Sequence, residues 1–258
     1  MIELKDQMNR TIRLENFPER IVSLVPSQTE LLFDLDLNEK VVGITKFCIH
    51  PDKWFRNKQR IGGTKKLNLD AIKKLNPDLI IGNKEENSEA DIVELEKHFP
   101  VYMSDIFTVD DALKMIDDVG YMTNSKPKTD KLISQLTVDF NSFPKSSGTV
   151  LYLIWADPFM AVGNNTFIGD VINKLELTNV LNQPETRYIE LTPEEISTLN
   201  PDYIFLSSEP FPFHENHAEA LRKISNAKIH FTDGELFSWY GSRMLKMKDY
   251  FTTIQNLL

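Results

Sequence analysis

The chain has 258 residues, with 29 Lys and Arg against 38 Asp and Glu, a formal net charge of −9, 41% hydrophobic residues and a single cysteine. That acidic balance argues against a nucleic-acid partner, because phosphate binding needs a basic face; the length suits one large or two medium domains. The most apolar stretch, 149–156, is far shorter than the ~18 residues of a membrane helix, and the one cysteine, Cys48, cannot form an internal disulfide.

The first ten residues contain no apolar h-region, so the chain as written reads as cytoplasmic, or as periplasmic or cell-surface if a signal has been removed. Residues 21–25 form an apolar run predicted as a buried strand. Ser27 and Glu30 have capping-box spacing, which predicts a helix from about Gln28 with Leu31, Leu32 and Leu35 as its buried stripe. Residues 41–45 return as a strand. Strand 79–82, helix 86–98 and strand 101–104 continue the alternation, which implies an α/β fold with a mostly parallel sheet. A helix over 109–122 is followed by a break at 123–127 and a second helix whose pattern (Leu132, Ile133, Leu136, Val138, Phe140) runs over 128–140. The second half opens with strand 149–155 and helix 167–175. Strands 203–207 and 228–232 follow, then a final helix over about 243–257.

One pattern occurs twice. Asp70-Ala-Ile72-Lys-Lys-Leu75-Asn76-Pro77-Asp78-Leu-Ile80 recurs as Glu194-Glu-Ile196-Ser-Thr-Leu199-Asn200-Pro201-Asp202-Tyr-Ile204. In each copy an acid opens a short amphipathic helix, Ile and Leu share one face, and Asn-Pro-Asp ends the helix before an apolar run. This is the expected signature of a duplicated lobe, and two lobes predict a ligand cleft between them.

In open α/β sheets ligands sit beyond the carboxyl ends of strands, so the loops there carry the candidate site. They contain Phe47, His50 and Trp54 in the first half. In the second they contain Trp155, Phe159, Phe211, Phe213, Trp239, Tyr240 and Arg243. All three tryptophans are expected in such loops, as a stacking surface for a broad, apolar ligand; packing of the loops themselves is the competing reading for each ring. Arg243 could hold a carboxylate or phosphate, or cap the last helix. Cys48, His50 and His214 are candidate metal ligands, although a structural thiol or a solvent-facing histidine is the commoner outcome. Walker, GxGxxG, GxSxG and HExxH motifs are absent from the sequence.

The run Arg20-Ile-Val-Ser-Leu-Val-Pro26-Ser-Gln-Thr29-Glu30, the Asn-Pro-Asp repeat and the midway helix together resemble the class III, helical-backbone substrate-binding proteins of ABC importers. That group includes the cobalamin-binding and ferric-siderophore-binding proteins, and the likeness runs over the whole chain. The resemblance implies two Rossmann-like α/β lobes, at 1–125 and 147–258, joined by one backbone helix at 126–146. It implies no catalytic residue and no intrinsic cofactor. Phe47 and His50, and Phe159 and Trp239, match segments that supply ligand contacts in the first and second lobe, and Asp70 and Glu194 match the acids that meet the permease. The ligand is then expected to be cobalamin or another corrinoid, and the protein a monomer without membrane insertion. Two alternatives stand beside it. One is a ferric siderophore or a transition ion, with Lys46, Lys84, Arg187 and Arg243 as cations. The other is a cytoplasmic chelatase or corrinoid-processing enzyme, kept because the chain as written lacks a signal peptide and so looks closest to a signal-less subgroup.

Overall fold

In the computed structural model, which describes residues 1–181 and 186–256, an antiparallel hairpin of β1 (Ile2–Lys5) and β2 (Thr11–Leu14) precedes the first sheet. There follow β3 (Ile21–Ser23), α1 (Pro26–Asp34), β4 (Val41–Ile44), α2 (Asp52–Asn57) and β5 (Gln59–Arg60). A tiny hairpin, β6 (Gly62–Gly63) with β7 (Lys66–Leu67), leads to α3 (Leu69–Leu75), β8 (Leu79–Asn83), α4 (Glu89–Glu96), β9 (Val101–Ser104), α5 (Val109–Met122) and α6 (Lys126–Asn141). The first sheet is wholly parallel, in the order β5-β4-β3-β8-β9. Its faces bury Val22, Leu24, Ile72, Ile80, Ile92, Leu95 and Met103 in one cluster. Near-continuous apolar strands such as Leu79–Asn83, buried along their whole length, are what a sheet covered on both faces requires.

The second sheet is mixed. Its strands are β10 (Thr149–Trp155), β11 (Phe159–Val162), β12 (Thr178–Asn179), β13 (Tyr188–Leu191), β14 (Tyr203–Ser207) and β15 (Lys228–Thr232). The order is β13-β11-β10-β14-β15, with β12 also on β10. The β10, β12, β14 and β15 pairings are parallel, while β11 is antiparallel to both β10 and β13. Helices α7 (Phe167–Lys174), α8 (Pro193–Leu199), α9 (Glu215–Arg222), α10 (Gly234–Ser238) and α11 (Met247–Gln255) complete this half, with a 3-10 turn at Ser242–Lys246.

The sequence repeat has one structure twice. Helices α3 and α8 each end on a left-handed asparagine, Asn76 at φ 45° and Asn200 at φ 41°. The side chain of the residue before each helix, Asn68 or Thr192, accepts a backbone N–H at its third position, satisfying an otherwise orphaned donor. The aspartate that closes each Asn-Pro-Asp then reaches back to the strand beside it. Asp78 accepts from Glu19 N and Arg20 N, both at 2.8 Å, just before β3. Asp202 accepts from Thr149 N at 2.7 Å and Thr149 Oγ1 at 2.8 Å, at the start of β10. In each half the strand after the repeat then pairs parallel with the one so latched, Leu79 opposite Ile21 and Tyr203 opposite Val150. The parallel runs β3-β8-β9 and β10-β14-β15 are counterparts.

Contacts divide the chain into a first unit of Met1–Ile106, Asp110–Thr137 and Tyr240–Arg243, and a second of Phe107–Val109, Val138–Trp239 and Met244–Leu258. This revises the expected second lobe at 147–258, since Tyr240–Arg243 is packed with the first unit. The expected helix at 126–146 is α6 and stops at Asn141. Pro144 lies just beyond, and a proline disfavours helical geometry in the residue before it. Along α6 the buried stripe includes Leu136 and Phe140, but Val138 is 60% exposed. The predicted capping box at Ser27 and Glu30 is absent as well. Helix α1 starts earlier, at Pro26, with no side-chain cap, because proline at its first position has no N–H to satisfy.

Candidate functional site

In the first unit the segment after β4 makes the accessible surface. Phe47 is 50% exposed, and Lys46 Nζ lies 4.9 Å from its ring centroid. The hairpin β6-β7 stands beside it and closes a groove of about 920 Å³ lined by Lys46, Phe47, Gly62, Gly63, Thr64, Lys65, Lys66, Leu67, Asn68, Leu69 and Asp70. Gly62 sits at φ +100°, where a Cβ would come 2.6 Å from Lys66 O; only glycine enters that region freely. A Cβ on Gly63 would meet the Phe47 ring at 3.2 Å and Lys46 Cε at 3.3 Å, so the bare glycine lets both side chains lie flat. Asp70, expected as a permease contact, is exposed at the start of α3 on this same groove.

Behind the groove the carboxyl ends of β3, β8 and β9 hold a polar network. Gln28 Nε2 donates to Ser104 Oγ at 2.8 Å and to Gly82 O at 3.2 Å, and Asn83 Nδ2 donates to Ser104 Oγ at 3.0 Å. Asn83 Oδ1 accepts from Glu85 N and Glu86 N, shaping the turn out of β8. Glu86 is held above the ordinary carboxyl range, first by burial, then by the neighbouring charge of Glu85.

Several predicted ligand contacts are interior instead. Trp54 is 1% exposed in α2, edge-on to Phe33 with centroids 5.4 Å apart, its Nε1 donating to Asn38 Oδ1 at 2.8 Å. A satisfied indole in that position is core, worth about 3–5 kcal/mol against truncation. Tyr240 is 8% exposed within the first unit, and burial, then the charge of Glu86, raises its hydroxyl well above the usual value. Arg243 is buried in a two-pronged pair with Glu30, Nε to Oε2 at 2.6 Å and Nη2 to Oε1 at 3.0 Å, so its guanidinium is not presented to a ligand. Cys48 is fully buried and within hydrogen-bond reach of the Thr29 and Thr45 hydroxyls, both at 3.1 Å. Burial, the largest effect, pushes its thiol upward, away from the thiolate a metal needs. His50 is half-buried, and no group of three or more metal-type side chains exists among the described residues.

In the second unit the carboxyl ends of β10 and β14 carry an aromatic surface. Trp155, the last residue of β10, is 42% exposed and packs on Phe211 with centroids 5.3 Å apart. Phe211 in turn meets Phe213 at 5.1 Å and His217 at 5.2 Å. Phe213 is buried in the core that also holds Leu151, Leu206 and Leu221, and Phe159 packs on that core half-exposed. Trp239 is 8% exposed and donates from Nε1 to Glu209 Oε1 at 2.8 Å, which makes it a structural indole. His214 precedes α9 and its N–H donates to His217 Nδ1 at 3.0 Å, so the neutral His217 ring keeps its proton on Nε2. Glu194 is exposed at the second position of α8, the place Asp70 holds in α3. Of the four cations expected for an anionic ligand, Arg187 lies over Phe107 at 4.4 Å and Lys84 bonds Asp105 at 2.7 Å. Sequence reasoning overlooked Lys65 and Lys66, whose signal was their place in a Gly-Gly-Thr-Lys-Lys turn.

A family model described as "Periplasmic binding protein" matches residues 21–226. The chain therefore belongs to that family, as a substrate-binding protein of the ABC-importer type with the helical-backbone α/β fold. Among its relatives is an uncharacterized ABC transporter substrate-binding lipoprotein, YvrC, of Bacillus subtilis, 24% identical over 95% of this chain and 82% of the relative. The vitamin B12-binding protein of Vibrio parahaemolyticus is 22% identical over 76% of this chain and 74% of its own length. The siderophore-binding protein BauB, solved with two molecules of acinetobactin and ferric iron, superposes with a TM-score of 0.78 at 18% identity, covering 97% of this chain and 96% of its own. No helix among the described residues is long and apolar enough to cross a membrane.

Proposed function

We propose that this protein is the capture component of an importer for a metal chelate, with a corrinoid as the first candidate ligand. The observation that carries the reading is Trp155, 42% exposed at the carboxyl end of β10 and packed on the half-buried Phe211 that follows β14. An indole left partly in water there costs solvation, whereas a broad apolar ligand covers it together with the accessible part of the Phe211 ring. Phe47 and His50 in the first unit and Phe159 in the second are the remaining proposed contacts. The name of the Vibrio parahaemolyticus relative supports the corrinoid choice. A ferric siderophore is the second reading, favoured by the three lysines around Phe47.

In this reading the protein acts outside the cytoplasmic membrane as a monomer, binds without turnover, and hands its ligand to a permease through Asp70 and Glu194. Titration with cobalamin, cobinamide, haem and ferric siderophores, followed by tryptophan fluorescence, tests it. Trp54 and Trp239 are buried, so Trp155 should dominate the response, and Trp155→Phe should remove most of the quench. Silence toward all four ligand classes would contradict the proposal.

A further inference from the structure

The groove beside Phe47 has a charge that the rest of the molecule does not share. Its lining carries three lysines, Lys46, Lys65 and Lys66, against one acid, Asp70, a local balance of 3 − 1 = +2 on a chain whose formal net charge is −9. A concave surface with a locally positive lining on an otherwise acidic chain focuses the field there and draws anions to it.

The three lysines are not equivalent. Lys65 Nζ donates to Glu85 O, so it is tied to the turn after β8. Lys46 lies against the face of Phe47, an arrangement that presents a cation and an aromatic ring as one surface. Lys66 is an exposed residue of the hairpin strand β7. The bare Gly62-Gly63 edge keeps the hairpin low and leaves the Phe47 ring accessible.

Resting on the capture of a metal chelate, we infer that the ligand bears carboxylate or comparable anionic substituents at its rim, that Lys46 and Lys66 receive them, and that Phe47 packs on the adjoining apolar face. A fully amidated, uncharged chelate would gain no charge contact from these water-solvated ammonium groups, so among corrinoids carboxylate-bearing forms are favoured over amidated ones. The groove therefore selects charge within whichever chelate scaffold is bound.

The test uses the full chain and probes that differ in charge on similar scaffolds: haemin with its dimethyl ester, cobyrinic acid with cobinamide, and an anionic ferric catecholate with a neutral ferric hydroxamate. In each set that binds, the anionic member should bind about tenfold more tightly at low salt, the scale of two exposed ion pairs, and the advantage should shrink as salt rises. Lys46→Gln with Lys66→Gln should abolish the advantage while leaving the neutral member's affinity and the unfolding midpoint unchanged. Equal or tighter binding of the neutral member, or an advantage that survives both substitutions, overturns the inference and leaves chelate capture standing. Failure of every probe to bind overturns chelate capture as well.

Discussion

Removing the Arg243 side chain tests the reassignment of that residue from ligand contact to buried ion pair. Arg243 and Glu30 are 8% and 9% exposed at their side chains, and two parallel N–H to oxygen contacts of 2.6 and 3.0 Å join them. Arg243→Met removes this guanidinium from the Glu30 carboxylate in a site that water scarcely reaches. Breaking a buried pair by deleting one partner costs about 3–5 kcal/mol, and replacing both partners with apolar groups of similar volume costs far less. At roughly 2–4 °C per kcal/mol for domains of this size, the single variant should lower Tm by about 10 °C. Glu30→Met with Arg243→Met should recover most of the loss and still bind ligand with affinity within about threefold of the parent. Thermal and urea unfolding of the four proteins in the cycle, with ligand titration of each folded one, measures both quantities. A single-variant cost below about 1 kcal/mol would refute the buried-pair reasoning. A stable double variant that no longer binds would return Arg243 to the ligand site.

Cys48, buried beneath Thr29 and Thr45, should react with a thiol reagent at pH 8 only as fast as the first unit opens, and immediately in denaturant; rapid labelling of the native protein would contradict its placement. The pH dependence has two limbs of opposite sign. Asp202 is held below its ordinary 3.8 by the two hydrogen bonds from Thr149, so its contribution is present above that value and lost as pH falls through the folded pKa; Asp202→Asn should flatten the acid limb of the unfolding curve. Glu86 is held above its ordinary 4.5, chiefly by burial, so the folded state keeps its proton longer than the unfolded one and stability falls as pH rises from 4.5 through the folded pKa. Glu86→Gln should remove that decline, and an unchanged slope would count against it. Gly62→Ala places a Cβ 2.6 Å from Lys66 O at φ +100° and should cost about 2 kcal/mol, read by urea unfolding.

Much of the architecture was legible because local chemistry and tertiary structure agree. Strands at 101–104, 149–155, 203–207 and 228–232 and the helix at 109–122 fall where the apolar spacing puts them. The Asn-Pro-Asp repeat was legible as a motif, but its latching of Asp78 and Asp202 onto the neighbouring strands was not, since those partners are far away in sequence. Short elements escaped notice. Helix α2 has too few residues for a periodic signal, and missing it left Trp54 in an imagined loop. Trp239 and Tyr240 misled for a related reason: an aromatic after a strand can turn inward as readily as outward. What decides is a partner such as the Glu209 carboxylate, which sequence order does not reveal. Phe47 and Trp155 are exposed, as their proposed role requires, while the place of Lys65 and Lys66 on the groove was not legible, because they reach it only through the glycine hairpin.

Native mass spectrometry of the purified chain after incubation with each chelate class addresses stoichiometric capture most directly. The account predicts a complex of one chain with one metal chelate, the chelate leaving at the mass with which it was added, and loss of that complex when Phe47, Trp155 and Phe211 are changed together to alanine in a variant that still folds. No complex with any chelate, or release of a chemically altered product, would contradict it.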